Sequence, residues 1–476
     1  MPHVLYIASE CVPYVKSGGL GDVLGTLPKC AAREGVRVSV LMPLYRQIDE
    51  TWRKKMTFLG AKTILLSWRK QYAGLYRLQK DGVTYYFIDN KYYFDRDSLY
   101  GFYDDGERFA FFAKAALDLL PMLDAFPDVL HCNDWQTALV PVYLKTAYQC
   151  LSRYRPLRTV FTIHNIEYQG KFDHGMLGDV LGLREQNKNL LDLHGCINYM
   201  KGAVVSCDIL TTVSPTYAKE ILYPYFGRGL ELVIRENEYK LYGILNGIDT
   251  ELYDPGTDPH LTSNYDVGSM AHKIDNKKAL SAELGLSFHE DTPMLGMVTR
   301  LVHHKGLDLV MGVFDEMMKR DLTMVILGTG DAKYEDWFRE KAGHYSGKFS
   351  FVTAFSGPLA SQIYGGADFF LMPSISEPCG LSQMIALNYG TIPIVRKTGG
   401  LADTIQPFST ETGQGNGVTF QAINAHDMLD AVQRGLEYYK DTNLRKQLII
   451  NAFASDHSWR LSAGAYIALY RRLTDE

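Results

Sequence analysis

The amino-acid sequence predicts an α/β protein with two Rossmann-like, doubly wound domains that face a deep cleft. In both halves of the chain, short apolar segments of strand length alternate with amphipathic segments of helical length, the pattern of parallel sheets built from βαβ units. Glycine-rich or basic segments follow several of these strands at the point where a helix should begin. The length of 476 residues also exceeds what one hydrophobic core usually organises, so two domains are expected.

The first half contains strands and helices in regular alternation. An apolar strand at 4–9 precedes a helix near 20–33, and the tyrosine-rich segment 85–88 is expected in a hairpin. The other predicted elements of this half are strands at 36–42, 128–131 and 159–163 and a helix at 106–120.

The second half repeats the alternation more regularly. Its predicted elements are strands at 294–299, 323–327, 349–355, 368–372 and 391–395 and helices at 307–319, 333–344, 361–365 and 381–389. The strand-like segment 241–245 is expected to open the second domain, which places the boundaries at 1–241, 242–456 and 457–476. The last of these is an amphipathic C-terminal helix for which packing on either domain, including a return to the first, stays open.

The composition excludes several classes of protein. A net charge of −5 gives no general attraction to nucleic acid or to an anionic membrane. Seven cysteines, an odd number with no Cys-x-x-Cys pair, predict reduced thiols rather than disulfides or a zinc site. No signal peptide or membrane-spanning apolar stretch is recognisable, so a cytoplasmic location is expected. The sequence gives no indication of the oligomeric state.

Two segments have the character of anion-binding sites. KSGGLGDV (16–23) follows the first strand, and its paired glycines allow backbone N–H groups at the start of a helix to approach an anion. RLVHHKG (300–306) brings Arg300 and Lys305 to the carboxyl end of a parallel sheet, where α/β proteins bind ligands. Together they predict a diphosphate site with two parts.

A third segment, PSISEPCGLSQ (373–383), combines a carboxylate with the start of a helix. Glu377 follows an apolar strand, and Gly380 is predicted to open a helix whose first amides face the same point. The carboxylate suits sugar hydroxyls and the amides suit phosphate oxygens, while capping of the helix by Glu377 is the structural alternative. Cys379 lacks an adjacent histidine, which predicts a positioning role rather than a nucleophile. The glycine turn at 397–403 is expected to line the same site.

Polar side chains also follow two strands of the first half. Asp134 and Trp135 come after the strand at 128–131, and His164 and Asn165 come directly after another strand. A lone histidine is more often structural, but two such strand ends on one sheet favour a functional site.

Seven segments, in order along the chain, resemble those of bacterial glycogen synthases and the related starch synthases. They are KSGGLGDV, HNIEYQG, TTVSPTYAKEI, LNGID, TRLVHHKGLDL, SEPCGLSQ and TGGLADT. The resemblance runs from the first strand to the C-terminal helix and implies the GT-B architecture of two Rossmann-like domains. It also implies transfer of glucose from ADP-glucose to the non-reducing end of an α-1,4-glucan, such as glycogen or a maltooligosaccharide, with retention of configuration.

The resemblance further implies roles for individual residues. The donor-binding residues implied in this way are Lys16, Gly18, Gly19, Asp22, Asn246, Phe355, Cys379, Gly380 and Leu381. The implied catalytic residues are His164, Glu377, Arg300, Lys305 and Asp134, with Asn165 and Trp135 on the acceptor and sugar side. Within this set Arg300 and Lys305 would hold the diphosphate, Glu377 would contact the transferred glucose, and the backbone carbonyl of His164 would face the anomeric carbon.

Two positions near the expected nucleotide depart from the patterns of related families, and the choice between ADP and UDP depends on the base pocket around Phe355. Phe355 stands where the family more often has a tyrosine against the base, which keeps stacking and removes a hydroxyl. Ile385 stands where related retaining families have a second glutamate, so recognition of the ribose by that carboxylate is not expected. A retaining glycosyltransferase that uses a UDP-sugar is therefore the nearest alternative.

Other classes fit the sequence less well. A nicotinamide-dependent oxidoreductase would need a full G-x-G-x-x-G after a strand, and the segment 328–330 lacks the third glycine. A non-catalytic glucan-binding protein has no use for Arg300, Lys305 and Glu377 together. The acidic pair at 95 and 97 has Asp-x-Asp spacing but lies outside a strand-end context, so neither a metal nor another cofactor is expected.

Overall fold

A computed structural model describes residues 2–475, which form two compact units. The first unit contains the chain up to Asn246 together with the segment from Trp459 onward, and the second contains Gly247–Ser458. Among residues 2–475, no helix combines the length and the apolar character needed to cross a membrane.

The first unit is built on a nine-stranded sheet with a small three-stranded sheet beside it. Its strands are β1 His3–Ile7, β2 Arg37–Pro43, β3 Thr57–Leu66, β4 Arg69–Lys80, β5 Val83–Asp89, β6 Val129–Asn133, β7 Arg158–Ile163, β8 Lys171–Phe172, β9 Asp192–Leu193, β10 Cys196–Asn198, β11 Ile209–Thr212 and β12 Leu241–Gly243. Its helices up to Asn246 are α1 Gly19–Arg33, α2 Glu50–Arg53, α3 Lys91–Phe94, α4 Asp105–Asp118, α5 Leu139–Tyr143, α6 Met176–Asp179, α7 Lys188–Leu191, α8 Tyr199–Ser206, α9 Pro215–Glu220, α10 Pro224–Gly227 and α11 Glu231–Glu236.

The large sheet has the order β12-β11-β7-β6-β1-β2-β5-β4-β3. The seven strands from β12 to β5 are parallel, and β4 and β3 extend the sheet as antiparallel neighbours. The predicted hairpin is therefore confirmed, because 85–88 lies in β5 and pairs antiparallel with β4. β2 lies on one side of β1 in the sheet and β6 lies on the other side. A ligand site is expected at the carboxyl ends of the strands where the order changes direction, here β1 and β6.

The second unit has a six-stranded parallel sheet in the order of a Rossmann fold. Its strands are β13 Met294–Val298, β14 Thr323–Leu327, β15 Phe349–Val352, β16 Phe369–Met372, β17 Ile392–Arg396 and β18 Val418–Phe420. Its helices are α12 Lys273–Glu283, α13 Leu307–Met318, α14 Ala332–His344, α15 Gly357–Gly366, α16 Ser382–Asn388, α17 Gly399–Thr404, α18 Ala425–Lys440 and α19 Thr442–Phe453. The order β15-β14-β13-β16-β17-β18 reverses direction between β13 and β16, which makes that point the ligand-binding position of the sheet.

The C-terminal helix α20 (Trp459–Asp475) belongs to the first unit. The hydroxyl of Tyr470 on this helix lies 2.7 Å from Nδ1 of the buried His131 on β6 and donates a 3.0 Å hydrogen bond to the hydroxyl of Tyr6 on β1. The sequence left open on which domain this helix packs, and the structure shows that it packs on the first.

The boundary expected after residue 241 is wrong. Leu241–Gly243 forms β12, which pairs in parallel with β11 at the edge of the first sheet instead of opening the second domain. The composition of a short apolar strand next to a domain crossing is compatible with either sheet. Only its pairing with a neighbouring strand shows to which sheet it belongs. The division falls after Asn246 on the way out and before Trp459 on the way back.

Several segments also form short helices outside the α-helices. The 3-10 helices are Leu120–Met122, Trp135–Thr137, Glu185–Asn187, Glu238–Lys240, Met270–His272 and His303–Lys305, and a π-helix occupies Leu144–Tyr148.

Candidate active site

In the second unit, the loops that follow β13 and β16 pack directly against each other. The backbone N–H of Ile375 donates to the carbonyl of His304 at 2.8 Å. Gly306 has φ +74°, and a Cβ there would lie 2.0 Å from the carbonyl oxygen of Pro373. Only glycine permits this approach, so the glycine of the RLVHHKG segment brings the two loops together at the position where β13 and β16 diverge.

This packing places Lys305 beside Glu377. The lysine Nζ donates to both carboxylate oxygens of Glu377, at 2.9 and 2.6 Å, and the hydroxyl of Ser374 donates to one of them at 2.8 Å. Burial by itself would raise the pKa of Glu377, but the charge and hydrogen bonds of Lys305, with the bond from Ser374, outweigh burial and hold that pKa below its ordinary value. Glu377 is thus an ionised carboxylate at neutral pH and does not cap a helix.

The glycine turn after β17 supports the backbone that carries Glu377. A Cβ on Gly399 would lie 2.0 Å from the carbonyl oxygen of Glu377, and one on Gly400 would lie 2.1 Å from that of Cys379. Arg396, which is 6% exposed, donates from Nε to the carbonyl of Ser374 at 2.8 Å. The turn therefore lies directly against the Glu377 loop, as a support for it.

The helix predicted to begin at Gly380 begins later. Gly380 has φ +74°, a left-handed conformation, and α16 starts at Ser382 after Leu381. The amide of Gln383 holds the preceding turn by donating to the carbonyls of Cys379 and Gly380 at 3.1 and 3.0 Å. The amides at 380 and 381 thus belong to a turn before the helix, because a left-handed residue cannot continue a right-handed helix.

Two other residues implied on the donor side are exposed. Arg300 lies at the surface after β13, and Phe355 follows β15 with 87% of its surface accessible. An exposed apolar ring of this kind is available for stacking on a planar group.

In the first unit, the KSGGLGDV segment is held by a carboxylate that the sequence analysis missed. Glu10, 4% exposed at the end of β1, accepts hydrogen bonds from the backbone N–H groups of Ser17 and Gly18 at 2.5 and 3.1 Å. It also accepts bonds of 2.7 Å from the hydroxyls of Ser17 and Tyr100. The N–H groups at the paired glycines were expected to face an anion, but the amide of Gly18 binds Glu10 instead. A glutamate directly after a buried strand was the available signal.

The remaining residues of this segment form the start of α1. Gly18 precedes the helix, Gly19 is its first residue, and Asp22 lies in its first turn. Lys16 forms an ion pair of 2.7 Å with Asp22, and both side chains are partly exposed.

Asp134, after β6, combines backbone strain with a partly buried carboxyl group. Its φ of +57° and ψ of 178° are adopted almost only by glycine, and such strain concentrates at functional sites. Its Oδ1 accepts the backbone N–H groups of His164 and Asn165 at 2.7 and 3.3 Å. Burial is the largest influence and raises the pKa of the Asp134 carboxyl to about 7, although these two bonds lower it. Asp134 therefore connects the end of β6 to the end of β7.

The geometry around His164 fixes its tautomer. Asn133 donates from Nδ2 to the carbonyls of Ile7 and His131 at 3.2 and 3.0 Å, which leaves its Oδ1 as an acceptor. His164 Nε2 lies 2.9 Å from this oxygen and must carry the proton, so Nδ1 is the free acceptor of the neutral ring. Burial lowers the pKa of His164 to about 3, so the ring is neutral at physiological pH.

Three further residues complete the sequence-predicted set. The side chain of Asn165 accepts the backbone N–H of Glu167 at 3.0 Å. Asn246 is 6% exposed, and within the described part of the chain its Oδ1 has no hydrogen-bond donor. Trp135 is 9% exposed and packs against Phe109, with ring centroids 5.1 Å apart. Most of the Trp135 ring therefore packs in the core, and its place on the acceptor and sugar side stays a prediction.

Residues 2–475 contain no group of three or more histidine, cysteine, aspartate or glutamate side chains placed to hold a metal ion. The acidic pair of the Asp-x-Asp segment instead faces Arg46, with separations of 3.7 Å from Asp95 and 2.8 Å from Asp97.

Two Rossmann-like units with polar residues at the carboxyl ends of their central strands fit the GT-B class of glycosyltransferases, and the comparisons with known proteins assign the chain to that class. Residues 3–236 match the family described as "Starch synthase catalytic domain", and residues 285–454 match "Glycosyl transferases group 1". The chain belongs to the glycogen synthase and starch synthase family of glycosyltransferases.

Similar proteins cover the whole chain. A glycogen synthase of Geobacillus thermodenitrificans is 50% identical over 472 residues, covering 99% of this chain and 97% of the relative. A glycogen synthase of Bacillus cereus is 49% identical over 475 residues, covering 99% of this chain and 100% of the relative. The solved catalytic domain of starch synthase IV from Arabidopsis thaliana, bound to ADP and acarbose, superposes with a TM-score of 0.93 at 33% identity, with full coverage of both chains.

Proposed function

We propose that this protein transfers glucose from ADP-glucose to the non-reducing end of an α-1,4-glucan with retention of configuration. The observation that carries the proposal is the Lys305–Glu377 pair, with 2.6 Å between Nζ and a carboxylate oxygen, at the switch point of the second sheet. It sets a cation suited to a diphosphate beside an ionised carboxylate suited to sugar hydroxyls. The ADP bound to the similar Arabidopsis enzyme supports an adenine nucleotide as the donor.

Departure of the nucleoside diphosphate is the step that Arg300 and Lys305 would assist. Negative charge builds on the leaving phosphate as the glycosidic bond breaks, and fixed cations lower the barrier by matching that charge. Lys305 already donates two bonds to Glu377, which holds the ammonium in place before substrate arrives. A cation that needs no reorganisation during the reaction stabilises the transition state more than a mobile one.

The residues of the first unit would position the sugar. His164 is neutral, so it contributes hydrogen-bonding atoms rather than a proton. Asp134 holds the backbone at 164 and 165 and so fixes the direction of the carbonyl proposed to face the anomeric carbon. No carboxylate has been assigned as a nucleophile, so retention is proposed to proceed by attack on the same face, assisted by the leaving phosphate, through a short-lived oxocarbenium-like ion.

The reaction is proposed to need no metal and no other cofactor, because Arg300 and Lys305 supply the positive charge. A cytoplasmic location remains part of the proposal on the basis of the reduced cysteines and the family.

The test is donor competition on a glycogen primer. Purified protein is given ADP-glucose and UDP-glucose together, and the released nucleoside diphosphates are separated and quantified, with and without EDTA. We expect ADP to dominate and the rate to survive the chelator. Dominant release of UDP would establish the UDP-sugar alternative. Loss of activity in EDTA with recovery on Mn²⁺ would contradict the metal-free reaction.

A further inference from the structure

The first unit has a polar cavity at the amino ends of its parallel strands, whereas His164 follows the carboxyl end of one of them. The cavity has a volume of about 280 Å³ and lies among α5, the π-helix after it, the end of α8 and the segment before β12. Thr159, the second residue of β7, lines it, whereas His164 follows the other end of the same strand. The cavity is therefore separate from the candidate active site.

Lys240 supplies a buried positive charge to this cavity. The side chain is 6% exposed, and its Nζ donates a 2.7 Å hydrogen bond to the carbonyl of Cys207. Within residues 2–475, no carboxylate approaches this ammonium closely enough to form an ion pair. A buried ammonium has three hydrogens to satisfy, and one carbonyl leaves capacity for a further acceptor.

An exposed lysine and a buried hydroxyl add to this positively charged, hydrogen-bonding lining. Lys145, on the π-helix, also lines the cavity, and π-helical turns often mark functional sites. The positive charges of Lys240 and Lys145 both act on the Cys207 thiol, although burial, the larger influence, raises its pKa to about 12. The buried Ser206 hydroxyl lines the cavity and has no hydrogen-bond partner in the described structure.

The one carboxylate of the lining is already engaged. Asp208 accepts the backbone N–H of Thr159 at 2.7 Å and its hydroxyl at 2.8 Å, both at Oδ2. These bonds hold the carboxylate to β7, and the two lysines leave the lining with a net positive charge.

We propose that this cavity is a binding site for a phosphate group, held by Lys240 and Lys145 with a hydrogen bond from Ser206. The volume is close to the lower end of small-molecule pockets, about 300 Å³, so free phosphate and a small phosphate ester both fit. Lys240 directly precedes β12, and the chain continues from β12 to Asn246, where it leaves the first unit. A bound phosphate would therefore fix the start of the segment that leads to the crossing.

The test is calorimetric titration of the full-length protein with inorganic phosphate and, separately, with glucose 6-phosphate. Saturating ADP is present throughout, so that the nucleotide occupies the cations of the active site. We expect one saturable site per chain, with Lys240→Met and Lys145→Met each weakening affinity by about tenfold or more because a charge-assisted hydrogen bond is lost. Tighter binding of the ester than of phosphate would identify an esterified ligand, and tighter binding of phosphate would identify the free ion.

Matched variants separate binding from folding. Lys70→Met removes an exposed lysine on β4, outside the cavity lining, and should bind as the unmodified protein does. If Lys240→Met fails to fold, Lys145→Met and Ser206→Ala carry the test, since neither breaks the Lys240–Cys207 bond. The absence of saturable binding in the presence of ADP, or unchanged affinity in the cavity variants, would overturn the proposal.

Discussion

Replacement of Asp134 by asparagine should make the stability of the first unit less dependent on pH. Both backbone bonds of this residue, from His164 and Asn165, end on the same oxygen, Oδ1. An asparagine that places its carbonyl oxygen there keeps both bonds and removes the ionisable group. The variant therefore isolates the cost of the buried charge.

The magnitude follows from the pKa of Asp134, which burial raises to about 7 from an ordinary value of 3.8. Between these values the folded protein retains a proton that the unfolded chain has lost, so the stability of the unmodified protein falls as pH rises from about 4 to about 7. One pKa unit corresponds to about 1.4 kcal/mol, and partial contact with solvent reduces the full shift to about 2–4 kcal/mol. The Asp134→Asn variant lacks this loss, so its relative stability should increase with pH and level off above about pH 8.

Urea unfolding at several pH values between 5 and 8.5, followed by tryptophan fluorescence, measures this difference. Four of the five tryptophans belong to the first unit, so the signal reports mainly on its unfolding. Asp97→Asn is the control, because its side chain is 93% exposed and its replacement should give a difference that does not vary with pH. A constant difference between Asp134→Asn and the unmodified protein across this range would refute the reasoning.

The other predictions concern residues that hold the site in place. Glu10→Gln should retain most donor affinity, because the new amide can donate to the two hydroxyls that now donate to Glu10. Glu10→Ala should lower kcat/KM for the donor by about tenfold or more. Steady-state kinetics that rank the two variants equally would contradict this. Lys305→Ala should lower kcat by about 10²–10³ with little change in KM for the glucan, and a change confined to that KM would show the role to be wrong. Cys379→Ser should retain substantial activity because it keeps the backbone carbonyl that accepts the hydrogen bond of Gln383, and a trapped glucosyl-thiol adduct would show Cys379 to be a nucleophile instead.

Much of the fold was predictable because it depends on local patterns. Buried strands such as β1, with every residue inaccessible or nearly so, read as apolar runs, and paired glycines marked the start of α1. The boundary after 241 failed because a three-residue strand has no pattern that identifies its sheet.

The site was predictable in its residue types but not in its connections. Lys305 and Glu377 were identified from separate segments, yet their bond depends on the contact between Gly306 and Pro373, which joins loops distant in sequence. Glu10 escaped notice because two of its partners are backbone amides, which have no signature in side-chain sequence, and a third is the distant Tyr100. The burial of Trp135 against Phe109 was not predictable, because an aromatic residue beside a polar strand end fits a core and a sugar platform equally well.

The return of α20 to the first unit has a consequence for biosynthesis. The β-sheet of that unit leaves the ribosome early, but the tyrosine that covers His131 is translated only after the whole of Gly247–Ser458. At about 5–20 residues per second, that interval is on the order of 10–40 s. During it the second unit is still being synthesised as one continuous segment, while the nascent first unit exposes the apolar surface that α20 will cover. The order of completion in the cell is thus the reverse of the order of synthesis, and the unfinished sheet is the stage at which a chaperone has most to protect.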